Sequence, residues 1–263
     1  MDLGLKGRVA LITGGSRGIG YGVARFLAAE ECHLHLVSRS AESLSAAQSR
    51  LTTDYGVRVE VHALDLANAA DAVALAGLCG ALDIVVNNAG AIPQGSITDF
   101  DDQALRRAWD LKLFGYINVT REFYRQMCLR KSGVIANVIG NAGERPTPNY
   151  VAGSMANSAL MTLTRVMGAE SVRHGVRVVG VAPGYTETDR QIVRWKTRAQ
   201  TELGDENRWR ELTTVFPLGR LGSVAEVANM VAFLCSDCSG YTTGTVITID
   251  GGFSARPSQI KEW

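Results

Sequence analysis

The chain has 263 residues, of which 46% are hydrophobic and 20% charged, with a formal net charge of +1. That composition can bury a sizeable core and excludes an intrinsically disordered chain. The near-zero charge leaves no electrostatic footprint for nucleic acid or an anionic membrane, and no apolar run approaches the ~18 residues of a membrane span.

In chain order, the first apolar run is Val9-Ala10-Leu11-Ile12, a short buried-strand signal. Thr13-Gly14-Gly15-Ser16-Arg17-Gly18-Ile19-Gly20 follows, with glycines in a T-G-x-x-x-G-x-G spacing. A helical apolar period then begins at Ile19, Val23, Phe26 and Leu27. Strand, glycine turn and helix in that order let backbone N–H groups and a helix start meet a pyrophosphate. The second strand, 33–37, ends at Ser38-Arg39. His33 and His35 share one of its faces, and read as packed or hydrogen-bonded residues because no third ligand is near in sequence.

Ser40 is placed to cap a helix that carries Leu44, Ala47 and Leu51 and ends at Gly56. Strand three spans 57–64 and runs into Asp65-Leu66; an alanine-rich helix through Val73 and Leu78 follows. Strand four, 83–86, enters Asn87-Asn88-Ala89-Gly90. One long helix is expected over roughly 101–130, then strand five over 134–138. After Pro146 and Pro148 comes a helix through Leu160, Leu163 and Val166, and strand six, 176–181, closes on Pro183-Gly184. Residues 186–218 form a longer polar insertion, either a substrate lid or a solvated helical pair. Ser223 caps the last helix, and strand seven, 245–249, ends at Asp250-Gly251-Gly252. The alternation predicts a single-domain α/β fold, a doubly wound parallel sheet with helices on both faces. Ligands of such sheets lie beyond the strands' carboxyl ends.

The first residues lack the basic-then-apolar start of a signal peptide, so a cytoplasmic protein is expected. Five dispersed cysteines fit reduced thiols. Cys235 and Cys238 form a C-x-x-C, but at a helix end, where a redox pair is not favoured. No metal site is expected.

Taken together, the glycine turn, Asp65-Leu66, Asn87-Asn88-Ala89-Gly90, Pro183-Gly184 with Thr188, and Asp250-Gly251-Gly252 resemble the short-chain dehydrogenase/reductase family over almost the whole chain. The resemblance implies a Rossmann-like fold and a nicotinamide dinucleotide held by Gly14, Ser16, Arg17, Gly18, Ile19 and Gly20. It places Asp65 and Leu66 along the adenine, and Asn88, Ala89 and Gly90 on the ribose side. Thr186 and Thr188 fall on the nicotinamide side, and Pro183 and Gly184 belong to the cofactor-binding set as well. A carboxylate at the end of strand two would favour NAD; Ser38 and Arg39 suit a 2′-phosphate instead, with Arg17 as a second cation, so NADP is the expected cofactor. The resemblance also implies a homodimer or homotetramer through the helices that begin near Asp101 and Gly153, with Leu105, Trp109, Met155 and Met161 as candidates for that surface.

The family's usual chemistry rests on an Asn, a Ser, and a Tyr with a Lys four residues later. Here those positions hold Lys112, Gly140, Gly153 and Asn157. None of the tyrosines has a lysine four residues on, and no lysine lies between Lys131 and Lys196. Two readings of the substitute follow. In one, Tyr150 is the acid, its pKa lowered by Lys112, with Asn157 on the ribose or a water. In the other, Tyr150 anchors a loop and Lys112 is a buried counter-ion. The expected function is an NADP(H)-dependent oxidoreductase acting on a small carbonyl or alcohol. A dinucleotide-binding protein without turnover and a non-redox enzyme are the alternatives.

Overall fold

The computed structural model describes residues 2–256. Seven parallel strands form one sheet: β1 (Val9–Thr13), β2 (His33–Ser38), β3 (Val59–Ala63), β4 (Ile84–Asn87), β5 (Gly133–Val138), β6 (Val176–Pro183) and β7 (Val246–Ile249). Their spatial order is β3-β2-β1-β4-β5-β6-β7. The order reverses between β1 and β4, where open α/β sheets hold their ligands.

Side chains alternate along each strand and so divide the core in two. Ala10, Ile12, Leu34, Leu36, Ile84 and Val86 face α1 (Gly18–Ala29) and α2 (Ala41–Tyr55), together with a helix late in the chain, Val224–Cys235. Leu11, Val37, Val85, Ile135 and Val178 face α3 (Ala69–Cys79) and a helix at Tyr116–Arg130. Capping follows the side chains available. Ser40 Oγ accepts from the Ser43 N–H at 3.2 Å, and Ser223 and Glu226 cap each other at the start of the late helix.

The helix expected over 101–130 is interrupted. It runs as α4 (Asp102–Trp109), a π-helical turn over Asp110–Gly115, and α5 (Tyr116–Arg130). Gly115 lets the wide turn press on the strand-three loop: a Cβ there would lie 2.8 Å from the Leu66 carbonyl. The turn carries Lys112. The other helices are α6 (Val151–Ser171), α7 (Asp189–Leu203), α8 (Trp209–Thr213) and α9 (Val224–Cys235). No helix among the described residues is long and apolar enough to cross a membrane. All five cysteines are free.

Candidate active site

The glycine turn and the β4 loop are stitched together. Thr13 Oγ1 accepts from the Asn88 and Ala89 N–H groups at 2.8 and 2.9 Å, and Asn88 Nδ2 donates to the Thr13 carbonyl at 3.0 Å. Only glycine fits at position 20, where a Cβ would lie 2.3 Å from the Gly14 carbonyl oxygen and 2.4 Å from Asn88 Nδ2. The turn is therefore a bare backbone cradle at the start of α1, the geometry that receives a pyrophosphate. Thr188, which caps α7, stands over it: a Cβ on Gly18 would be 3.6 Å from Thr188 Cγ2. At the end of β2, Ser38 Oγ is buried without a partner. Arg39 and Arg17 are exposed, and neither pairs with a carboxylate among the described residues. An orphaned hydroxyl and two free guanidinium groups at this strand end fit a phosphorylated ribose.

The second half of the site lies at the end of β5. Lys112 Nζ donates to Tyr116 Oη and to the Val138 carbonyl, both at 2.8 Å, and Tyr116 Oη donates to the same carbonyl at 2.7 Å. The lysine stem runs along Gly90, whose Cβ would meet Lys112 Cδ at 2.7 Å. No carboxylate among the described residues pairs with the ammonium. Burial lowers its pKa to about 7 and raises the Tyr116 phenol well above its ordinary range. An ammonium has three N–H donors. Two are used here, so one has no acceptor among the described residues. Nearby, Asn157 fills the space that a side chain at Gly140 would take: a Cβ on Gly140 would lie 2.8 Å from Asn157 Nδ2. Gly140 adopts φ +144°, which disfavours any other residue. Asn157 Oδ1 is buried and has no donor among the described residues. A spare donor on Lys112 and a spare acceptor on Asn157 thus lie near the same strand end without bonding each other.

Tyr150 stands apart from this pair. Its ring lies across Gly153, at the start of α6, and packs with Ile92, Ala152 and Ala156. The expectation that Lys112 lowers its pKa is corrected: burial raises the Tyr150 phenol, and the cations that oppose the rise are Arg190 and Arg194 of α7. Lys112 is spent on Tyr116 and Val138 instead. Among the described residues no carboxylate pairs with Lys112. Tyr116 was not singled out in the sequence. The signal was present as Lys-x-x-x-Tyr, the family's spacing in reverse order, which puts both side chains on one face of a helix.

Asn141 and Glu144, on the loop after β5, are bound to other partners. Asn141 Nδ2 donates to Asp250 at 3.2 Å, and Glu144 accepts from Thr248 at 2.7 Å. Across the sheet end, Trp195 of α7 joins Tyr185, Phe216 and Phe253 from the flanking loops in an aromatic cluster. A cavity of about 210 Å³ opens beside it, lined by Asn141, Gly184, Tyr185, Phe216 and Arg220 among others; Lys112, Tyr150 and Asn157 do not line it.

A family model described as enoyl-(acyl carrier protein) reductase matches residues 14–254. The chain is 32% identical over 252 residues to a galactitol 2-dehydrogenase (L-tagatose-forming) of Cereibacter sphaeroides, covering 95% of this chain and 96% of that one. The chain belongs to the short-chain dehydrogenase/reductase family. It is an oxidoreductase of that family, with a pyridine nucleotide as cofactor. Among solved structures, an L-sorbose reductase from Gluconobacter frateurii complexed with NADPH and L-sorbose superposes with a TM-score of 0.93 at 29% identity, covering 98% of this chain and 100% of that one. An NADPH-bound short-chain oxidoreductase from Pseudomonas aeruginosa PAO1, described as containing an atypical catalytic center, reaches 0.84 at 32% identity, covering 95% and 98%.

Proposed function

We propose that the protein is an NADP(H)-dependent reductase or dehydrogenase of small hydroxy or keto compounds, in which Lys112 handles the proton. The observation that carries this reading is the third, unused N–H of a buried lysine whose pKa falls to about 7, at the same strand end as the orphaned Asn157 Oδ1. The bound nicotinamide supplies or accepts the hydride. In the reducing direction Lys112 gives a proton to the substrate oxygen; in the oxidising direction its neutral amine takes one. A pKa near the working pH suits both. Tyr116, kept neutral by burial, holds the amine in place through its hydroxyl. Asn157 Oδ1 accepts from a substrate or ribose hydroxyl. The choice of NADP(H) over NAD(H) rests on Ser38, Arg39 and Arg17. The NADPH complexes of the sorbose reductase and the Pseudomonas oxidoreductase accord with it.

Residues 186–218 act as the lid, with Thr188 at its root on the glycine turn and its Trp195 and Phe216 packed on Tyr185. A homodimer or homotetramer through α6 accords with its exposed stripe of Met155, Ala159 and Val166, and light scattering tests it. Met161 is buried in the core, whereas Leu105 and Trp109 on α4 are half-buried beside Tyr150.

The test is NADPH oxidation against a panel of ketoses, diketones and quinones, repeated with Lys112→Met. Turnover that Lys112→Met abolishes without loss of NADPH binding supports the reading. Tight NADPH binding with no oxidation points to a binding protein, and conversion that ignores the cofactor to a non-redox enzyme.

A further inference from the structure

The sheet edge far from Lys112 holds a second group of reactive side chains. β2 pairs with β3 so that His35 faces Glu60 and Val37 faces His62. Residues two apart share a face, so His35, Glu60 and His62 project together toward α3. Cys79 is the last residue of that helix. His35 Nδ1 lies 2.9 Å from His62 Nε2, Cys79 Sγ 3.6 Å from the same nitrogen, and the Glu60 carboxylate 3.8 Å from His35 Nδ1. The three nitrogen and sulfur atoms all lie within 4.8 Å of one another.

We propose that His35, His62, Cys79 and Glu60 form a binding site for one zinc ion between β2, β3 and α3. Tetrahedral zinc with its usual bond lengths sets ligand nitrogens ~3.3 Å apart and a nitrogen and sulfur ~3.6 Å apart. The Cys79–His62 distance already matches, the Cys79–His35 separation is within 4.8 Å, the Glu60 carboxylate has to swing in from 3.8 Å, and the two nitrogens need to open by a few tenths of an ångström and tilt. They must tilt because the rings lie within 6° of coplanar, so that their lone pairs point at each other across one shared proton. Neutral imidazole and thiolate are the forms that ligate zinc. On binding, the Cys79 thiol proton leaves to solvent, and whichever imidazole carries the proton shared between His35 Nδ1 and His62 Nε2 moves it to its other ring nitrogen. Zinc, one thiolate and one carboxylate then sum to zero charge, as a largely buried site requires. The ion would pin the edge strand β3 to α3, just before the Asp65-Leu66 loop.

The test uses the full chain, stripped with a chelator and titrated with Co²⁺. Expected is one equivalent bound with a near-ultraviolet thiolate-to-cobalt band, displaced by Zn²⁺. Cys79→Ser removes the band, and Cys238→Ser, which alters the exposed thiol, keeps it. His62→Gln and Glu60→Gln, which leave the thiol in place, each weaken Co²⁺ binding by about tenfold or more. Absence of a thiolate band in the unaltered chain overturns the site, and so does a band that survives Cys79→Ser. Glu60 is half-exposed, so its variant stays informative if the core variants fail to fold.

Discussion

The Tyr150 ring lies over the backbone of Gly153, and a Cβ at 153 would sit 2.1 Å from two of its carbons. The residue at the family's tyrosine position thus gives its side-chain space to a tyrosine three residues earlier. Gly153→Ala should therefore destabilise the chain by roughly 1–3 kcal/mol, the usual cost of overpacking. In a Tyr150→Ala background most of that cost should vanish. Urea denaturation of the two single variants and the double variant measures the coupling, and simple additivity would contradict it.

Stability should depend on the charge of Lys112. Its folded pKa, about 7, lies below the ordinary lysine value of 10.5, so the unfolded chain binds more protons between those pH values. Stability gained from this group therefore rises as pH climbs from about 7 toward 10, and the penalty is fully present below about 7. Lys112→Met should be more stable than the natural chain at pH 6, on the order of a few kcal/mol, with the gap closing by pH 10. Thermal melts across that range check both sign and window.

Turnover should separate Lys112 from Tyr116. Lys112→Met is expected to lower kcat by ~10²–10⁴-fold with NADPH affinity unchanged. Tyr116→Phe should cost less, because the amine keeps the Val138 carbonyl. That hydroxyl accepts from the ammonium and so favours the charged form. Without it, the pH at which ketone reduction falls off should move downward. An unmoved pH profile would make Tyr116 purely a packing residue.

On the proposed reading, Arg39 is the cation that discriminates NADP(H) from NAD(H). Arg39→Ala should weaken NADPH binding by roughly ten- to a hundredfold and leave NADH nearly unaffected, as expected for loss of a charge-assisted phosphate contact. Fluorescence titration with both nucleotides reads this directly.

The scaffold was legible because its rules are local. Apolar runs ended at glycines, caps stood at Ser40 and Ser223, and the dinucleotide turn lay between a strand and a helix. The π turn was not legible, since the apolar spacing of 101–130 continues through it and the extra residue depends on contact with the Leu66 backbone. The loss of the usual catalytic pair could be read from residue identity alone. Its replacement could not, because a residue-by-residue comparison with the family looks for Tyr before Lys and passes over Lys112 before Tyr116. The His35 cluster was missed for a related reason. Its partners come from β3 and from the end of α3, 27 and 44 positions away, and only strand pairing brings them together.

The backbone at Gly140, with φ +144° and Asn157 filling the space beside it, also limits how this enzyme can change. A serine there would be strained by the main chain and blocked by the amide. A tyrosine at 153 would collide with the ring already present. Reinstalling the common machinery one residue at a time therefore meets a barrier at each step. An engineer would have to replace the first two turns of α6 and the loop after β5 as a single block, and any lineage moving between the two designs faces the same interlock.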